Sequence, residues 1–68
     1  MKMVKVIEVI ASSDNGFAEA AENAITGASK TVKNIQSIYI KQMKGSVENN
    51  EIVSYAVNAK ISFLVESK

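Results

Sequence analysis

A chain of 68 residues has room for one domain and one small core, and at that size folded chains usually add disulfides, a metal or partner subunits. Cysteine and histidine are both absent, which excludes disulfides and thiolate chemistry and removes the ordinary ligands of a structural zinc site. The net charge is +1 from eight scattered lysines and seven acids, and there is no arginine to fork onto phosphates or bases, so the composition argues against nucleic-acid binding. The first element, Met3 to Ile10, is rich in β-branched residues and reads as a strand. It carries Lys5 and Glu8 and is far too short to cross a bilayer, so the chain reads as a soluble cytoplasmic protein with no membrane partner. Turn residues follow from Ala11 to Gly16, with Ser13 or Asp14 as the expected N-cap of the next element.

Phe17 to about Val32 is predicted to be a helix. Phe17, Ala20, Ala21, Ala24, Ala28 and Val32 recur at spacings of three and four, with Ile25 beside them. The stripe is mostly alanine, so the helix can approach a sheet closely. Glu19 and Glu22 lie early and Lys30 and Lys33 late, an order that suits the helix dipole. Gly27 costs about 1 kcal/mol inside a helix, which suggests a close backbone contact at that point.

Ile35 to about Gly45 is predicted as the second strand, with Ile38 and Ile40 on one face and Ser37, Tyr39, Lys41 and Met43 on the other. Val47 to Glu51 is the expected hairpin connection, because Asn49 and Asn50 tolerate positive φ. The third strand alternates without a break from Val53 through Tyr55, Val57, Ala59, Ile61 and Phe63 to Val65, and spans over about 40 Å. A helix of about sixteen residues, roughly 24 Å long, cannot cover it, so the uncovered part should meet another subunit. The chain is therefore read as a single α+β domain over residues 1–68, a β-α-β-β arrangement in which a three-stranded antiparallel sheet wraps one helix. The sheet's other face is polar but lightly charged, as expected of a solvated face, a lumen or a partner interface.

Catalytic machinery is missing from the inventory. There is no histidine to activate a nucleophile, no serine in a nucleophile turn, no partner acid near Glu8, and the three glycines are isolated. The chain is read as not an enzyme. Calcium needs only oxygen ligands, and Asp14, Asn15, Glu48, Asn49, Asn50 and Glu51 offer them in two loops, although turn formation explains the same residues and no EF-hand spacing is present.

The order and spacing of these segments resemble the dodecins, the small flavin-binding proteins. The run Val4 to Ile10 followed by Ala11-Ser12-Ser13 looks like the family's opening strand and turn. Gly16-Phe17 with Ala20, Ala24, Ile25 and Ala28 is similar to its alanine-striped helix. Thr31 to Ile35 is similar to its exit into strand two, and Ser54 to Val65, with Phe63 near the end, to its last strand. The resemblance implies a hollow homododecamer that binds flavin (FMN, FAD or riboflavin) at subunit interfaces as a store rather than an enzyme. In such proteins a tryptophan on strand two stacks on the flavin ring and a glutamine on strand three hydrogen-bonds it. Those positions fall here on Ser37 and Ala56, and the chain has no tryptophan. With Tyr39 as another ring on the same face, Ser37, Tyr39 and Ala56 are the candidate ligand-binding residues. Flavin binding is expected to be weak or lost through the missing stacking and hydrogen-bonding groups. Three readings stand: a storage shell that binds another small molecule or calcium, a shell that still binds flavin through different contacts, and a small interaction module unrelated to dodecins.

Overall fold

The structure is a computed structural model and describes residues 2–66. Strand β1 (Lys2–Ser13), helix α1 (Phe17–Ala28), strand β2 (Ile35–Glu48) and strand β3 (Glu51–Glu66) follow in that order. The sheet order is β1-β3-β2, and both outer strands pair antiparallel with β3. The strand with the most regular alternation therefore lies in the middle, and α1 crosses one face of the sheet to carry the chain from one edge to the other.

The core is small. Val57, Ala59 and Ile61 on β3 are buried under Ala20, Ala24 and Ala28 of α1, and Ile7, Val9, Ala11, Ile25, Val32, Ile35 and Ile38 pack around the edges. Alanine on both sides of the contact lets the helix backbone approach the sheet closely. Phe17 closes the helix's first turn onto Tyr55, edge to face with ring centroids 5.0 Å apart.

Both ends of the helix differ from the expectation. The N-cap is Gly16, at φ 158°, with no side-chain cap, rather than Ser13 or Asp14. The Ser13 hydroxyl is already engaged: it accepts the Asn15 N–H and donates to the Glu19 carboxylate. At the other end, the helix stops at Ala28 instead of Val32. Thr31 and Val32 N–H both donate to Ala28 O, and the Ser29 and Thr31 hydroxyls donate to Thr26 O and Ala28 O, the local competition by which such residues end helices. Asn34 at φ 62° then turns the chain into β2. Val32 still packs on the core from this turn, which is why its periodicity looked helical.

The hairpin is tighter than expected. Its loop is Asn49-Asn50 alone, with φ of 51° and 66°, positive at both central residues as a type I′ turn requires. Val47, Glu48 and Glu51 belong to the strands.

Three register shifts interrupt the β2–β3 ladder, between Ile35 and Ser37, between Ile40 and Gln42, and between Ser46 and Val47. Each adds an unpaired residue to one strand and reverses the alternation beyond it. The second corrects one face assignment: Met43 pairs with the core residue Val57 and so lies on the helix side, not with Ser37 and Tyr39. At the third, the skipped residue is Val53 on β3, which brings Ile52 round to the helix side beside Gly45.

The helix's 12 residues span about 18 Å, while β3's 16 residues span about 53 Å. The molecule accordingly measures 55 × 19 × 13 Å. β1 ends where Ser13 pairs with Tyr55, so β2 and β3 continue beyond it as a two-stranded arm carrying Val47, Ile52 and Val53 exposed.

Gly27 has no close backbone neighbour: a Cβ built there meets nothing within 4 Å. Its helical position is a loss of order with no packing return. Gly27→Ala should stabilise the fold by about 0.5–1 kcal/mol, read as a higher denaturant midpoint at fixed protein concentration.

Candidate functional site

The face of the sheet away from α1 holds the polar side chains, and the register sets them in rows. Val6, Ser62 and Ser37 form one row, and Glu8, Lys60 and Tyr39 the next. Ile10, Asn58 and Gln42 follow, then Ser12, Ala56 and Lys44. The Ser37 and Ser62 hydroxyls hydrogen-bond each other. Lys41, the extra residue of the second bulge, reaches across to β1, where its Nζ donates to Glu8 Oε2 at 3.2 Å. The bulge thus ties the two edge strands together over the central one.

Apolar side chains share this face. Ile10 is 76% exposed and Tyr39 66%, with Val4 and Val6 similarly open. Ile10, Gln42, Lys44, Ala56, Val57 and Asn58 line an open depression of about 260 Å³. Its floor exists because Ala56 carries only a methyl between longer neighbours. Asn58 Oδ1 is buried with no hydrogen-bond partner.

The three sequence-predicted site residues all lie on this face, but not together. Ala56 lines the depression. Ser37 pairs with Ser62, six residues from Ala56 along β3 and about 20 Å away. Tyr39 stands one row from Ser37, fully on the surface. A small ligand touching both Ser37 and Ala56 has to draw them from two protomers. Sequence reasoning missed Ile10, Gln42, Lys44 and Asn58. Simple alternation puts Gln42 with Ile38 and Ile40 on the helix side; the bulge at Lys41 brings it to the outer face, and nothing in the residue types marks that bulge.

Among the described residues, no three acids are gathered where they could hold a metal ion. The two loops considered for calcium lie at different levels: Asp14 and Asn15 follow the end of β1 opposite Tyr55, and the hairpin tip is about 15 Å further along the arm. Asn15 and Ser13 both hydrogen-bond Glu19, and these bonds, Ser13's first, hold its carboxyl below the ordinary carboxylate value. No described helix is long and apolar enough to cross a membrane.

Glu8 is likewise held below its ordinary value of 4.5, first by the hydrogen bond from Lys41 and then by that residue's charge, with Asn58 and Lys60 assisting. A carboxyl lowered by folding stabilises the fold above its unfolded value and loses that contribution as pH falls through the folded one. Glu8→Gln should therefore be less stable than the parent near neutral pH, by a small margin because the pair is exposed. The gap should close as pH drops below 4.5; denaturant midpoints of the two proteins across the acid range check this.

Comparison with known proteins gives one consistent answer. The family model for dodecin matches residues 3–66. The dodecin of Thermus thermophilus is 25% identical over 65 residues, covering 96% of this chain and 94% of that protein. Among solved structures, the dodecin of Streptomyces coelicolor superposes with a TM-score of 0.90 at 28% identity, over 98% of this chain and 96% of that one. A calcium-chelating antigen of Mycobacterium tuberculosis, calcium dodecin, shares the fold with a TM-score of 0.78 at 24% identity, over 90% of this chain and 87% of that one.

Proposed function

The chain belongs to the dodecin family, and on that premise we propose that it is a non-enzymatic homo-oligomeric shell that binds a small molecule on the outer sheet face, where protomers meet. The observation that carries this reading is the apolar surface left open on one protomer. Val4, Val6, Ile10, Met43, Val47 and Ile52 are exposed on both sides of a sheet too long for its helix. A two-stranded arm is only marginally stable by itself, and surfaces of this kind are usually covered by a partner. Copies of the same chain supply that cover in the dodecamer the family resemblance implies.

Flavin is a weak ligand in this reading. By the family resemblance, Ser37 and Ala56 take the positions of the stacking tryptophan and the hydrogen-bonding glutamine, and among the described residues Tyr39 is the one aromatic ring on the outer face. Ring stacking contributes about 0.5–1.5 kcal/mol beyond area burial, and a hydrogen bond about 1 kcal/mol net. Losing both weakens flavin binding by one to two orders of magnitude.

Two measurements test the proposal. Light scattering should give a mass near twelve subunits for a protein that purifies colourless. A monomer at micromolar concentration overturns the shell, and a stoichiometric yellow particle overturns weak flavin binding. Ile52→Glu, which puts a charge on the arm, should shift the mass toward smaller species. Separately, the double variant Ser37→Trp, Ala56→Gln should quench riboflavin fluorescence at least tenfold more tightly than the parent. Equal quenching by both removes Ser37 and Ala56 from the site.

A further inference from the structure

Asn15 is the one asparagine of this chain with glycine after it. The carboxamide carbon of an asparagine is open to attack by the backbone nitrogen of the next residue, which closes a five-membered succinimide ring. A side chain on that next residue crowds the ring, and Gly16 has none. The remaining asparagines are worse placed. Asn34 precedes the β-branched Ile35, and Asn49 and Asn50 precede longer side chains. Asn23 lies within α1 with its amide nitrogen bonded to Ser12 O, and Asn58 lies within β3. Asn15 is exposed in the short connection between β1 and α1, outside both elements.

The same side chain holds the start of the helix. Asn15 Nδ2 donates to Glu19 Oε2 at 2.6 Å, and that oxygen also accepts the Ser13 hydroxyl. Ser13 Oγ in turn accepts the Asn15 N–H at 2.9 Å. These three residues join the end of β1 to the first turn of α1, where Gly16 supplies no side-chain cap. Ser13 pairs with Tyr55 at the root of the two-stranded arm, and Phe17 packs on the same ring. We propose that Asn15-Gly16 is a self-modification site: Asn15 deamidates without an enzyme, and the product loosens the first turn of α1 at the root of the arm. Gly16 N attacks Asn15 Cγ and bonds to it, and the Gly16 N–H proton passes to water. The Cγ–Nδ2 bond breaks, and the nitrogen leaves as ammonia after taking a proton from water. Water then adds to either carbonyl of the ring and opens it to aspartate or isoaspartate. In sum, water is consumed and ammonia released, with no change of oxidation state. Both products put a carboxylate, which has no proton to donate, where the Nδ2 donor stood, beside the like charge of Glu19. Isoaspartate also lengthens the backbone by a methylene between Ser13 and the N-cap.

The test follows the full chain, folded and in mildly alkaline buffer, by digestion and mass spectrometry over time. Cleavage after Lys5 and Lys30 releases the peptide 6–30, which carries Asn15 and Asn23, and fragment spectra separate the two. Asn15 should show the mass shift of an amide turned acid while Asn23 stays intact, and enzymatic methylation should detect isoaspartate in the same peptide. Glu19→Ala, which frees the carboxamide from its acceptor, should speed the loss of Asn15 about fivefold, as expected for one hydrogen bond. Asn15→Asp fixes one product in place and should lower the denaturant midpoint at neutral pH and fixed protein concentration. Asn15 that stays intact in the folded chain after the urea-unfolded chain has converted overturns the site, because the fold then protects it. An Asn15→Asp midpoint equal to the parent's overturns the loosening of α1. The measurement on the parent needs no variant, so it decides the site even where Glu19→Ala fails to fold.

Discussion

The structure turns on a mismatch of lengths. A 12-residue helix advances about 18 Å, and the 16-residue strand beneath it about 53 Å. Fully buried positions on β3 run only from Val57 to Ile61. The core that results is a patch of alanine against Val57, Ala59 and Ile61. The remaining strand must be satisfied from outside, and so the requirement for partners comes from the geometry of the fold rather than from one sticky residue. This is consistent with the lack of any other device for stabilising so small a chain, since cysteine is absent and the acids are dispersed among the described residues.

The bulges on the β2–β3 ladder shape what that outside surface is. Each reverses the alternation, so apolar residues beyond it change sides. Met43 and Ile52 join Val47 on the helix side of the sheet, past the end of the helix, where they extend the apolar surface onto the arm. Lys41 and Gln42 move to the outer face instead. There Lys41 reaches Glu8 on the far edge strand and Gln42 faces Asn58. One irregularity thus ties the two edge strands together and assembles the polar half of the depression.

What the sequence made legible follows from the same division. The strand–helix–strand–strand order, the alanine stripe and the alternation of β3 from Tyr55 onward are period signals, and each appears in the structure as expected, whereas Val53, read as part of that alternation, is the unpaired residue of a bulge. The helix ends were less legible because Ser13 spends its hydroxyl on Asn15 and Glu19, and because Ser29 and Thr31 stop the helix with their own hydrogen bonds while Val32 keeps its apolar contact. Gly27 misled for a different reason. A glycine in a helix invites a packing explanation, and this one sits on open surface. The outer face was legible as a face through Ser37, Tyr39 and Ala56. Its rows were not, since a bulge is specified by backbone geometry that residue types do not announce.

The separation of the two faces also bears on how such a site changes its ligand. The apolar side chains that hold α1 to the sheet lie on the sheet's helix side, on all three strands, and alternate with the outward-facing positions. Ser37, Ala56, Gln42 and Asn58 stand outside the alanine contact, so replacing them leaves the core as it is. Ala56 illustrates the trade in both directions. A longer side chain there would offer a new contact and fill the depression, while alanine leaves that space open. The size of this one side chain thus sets how much room the outer face offers, without any change to the alanine contact on the other side.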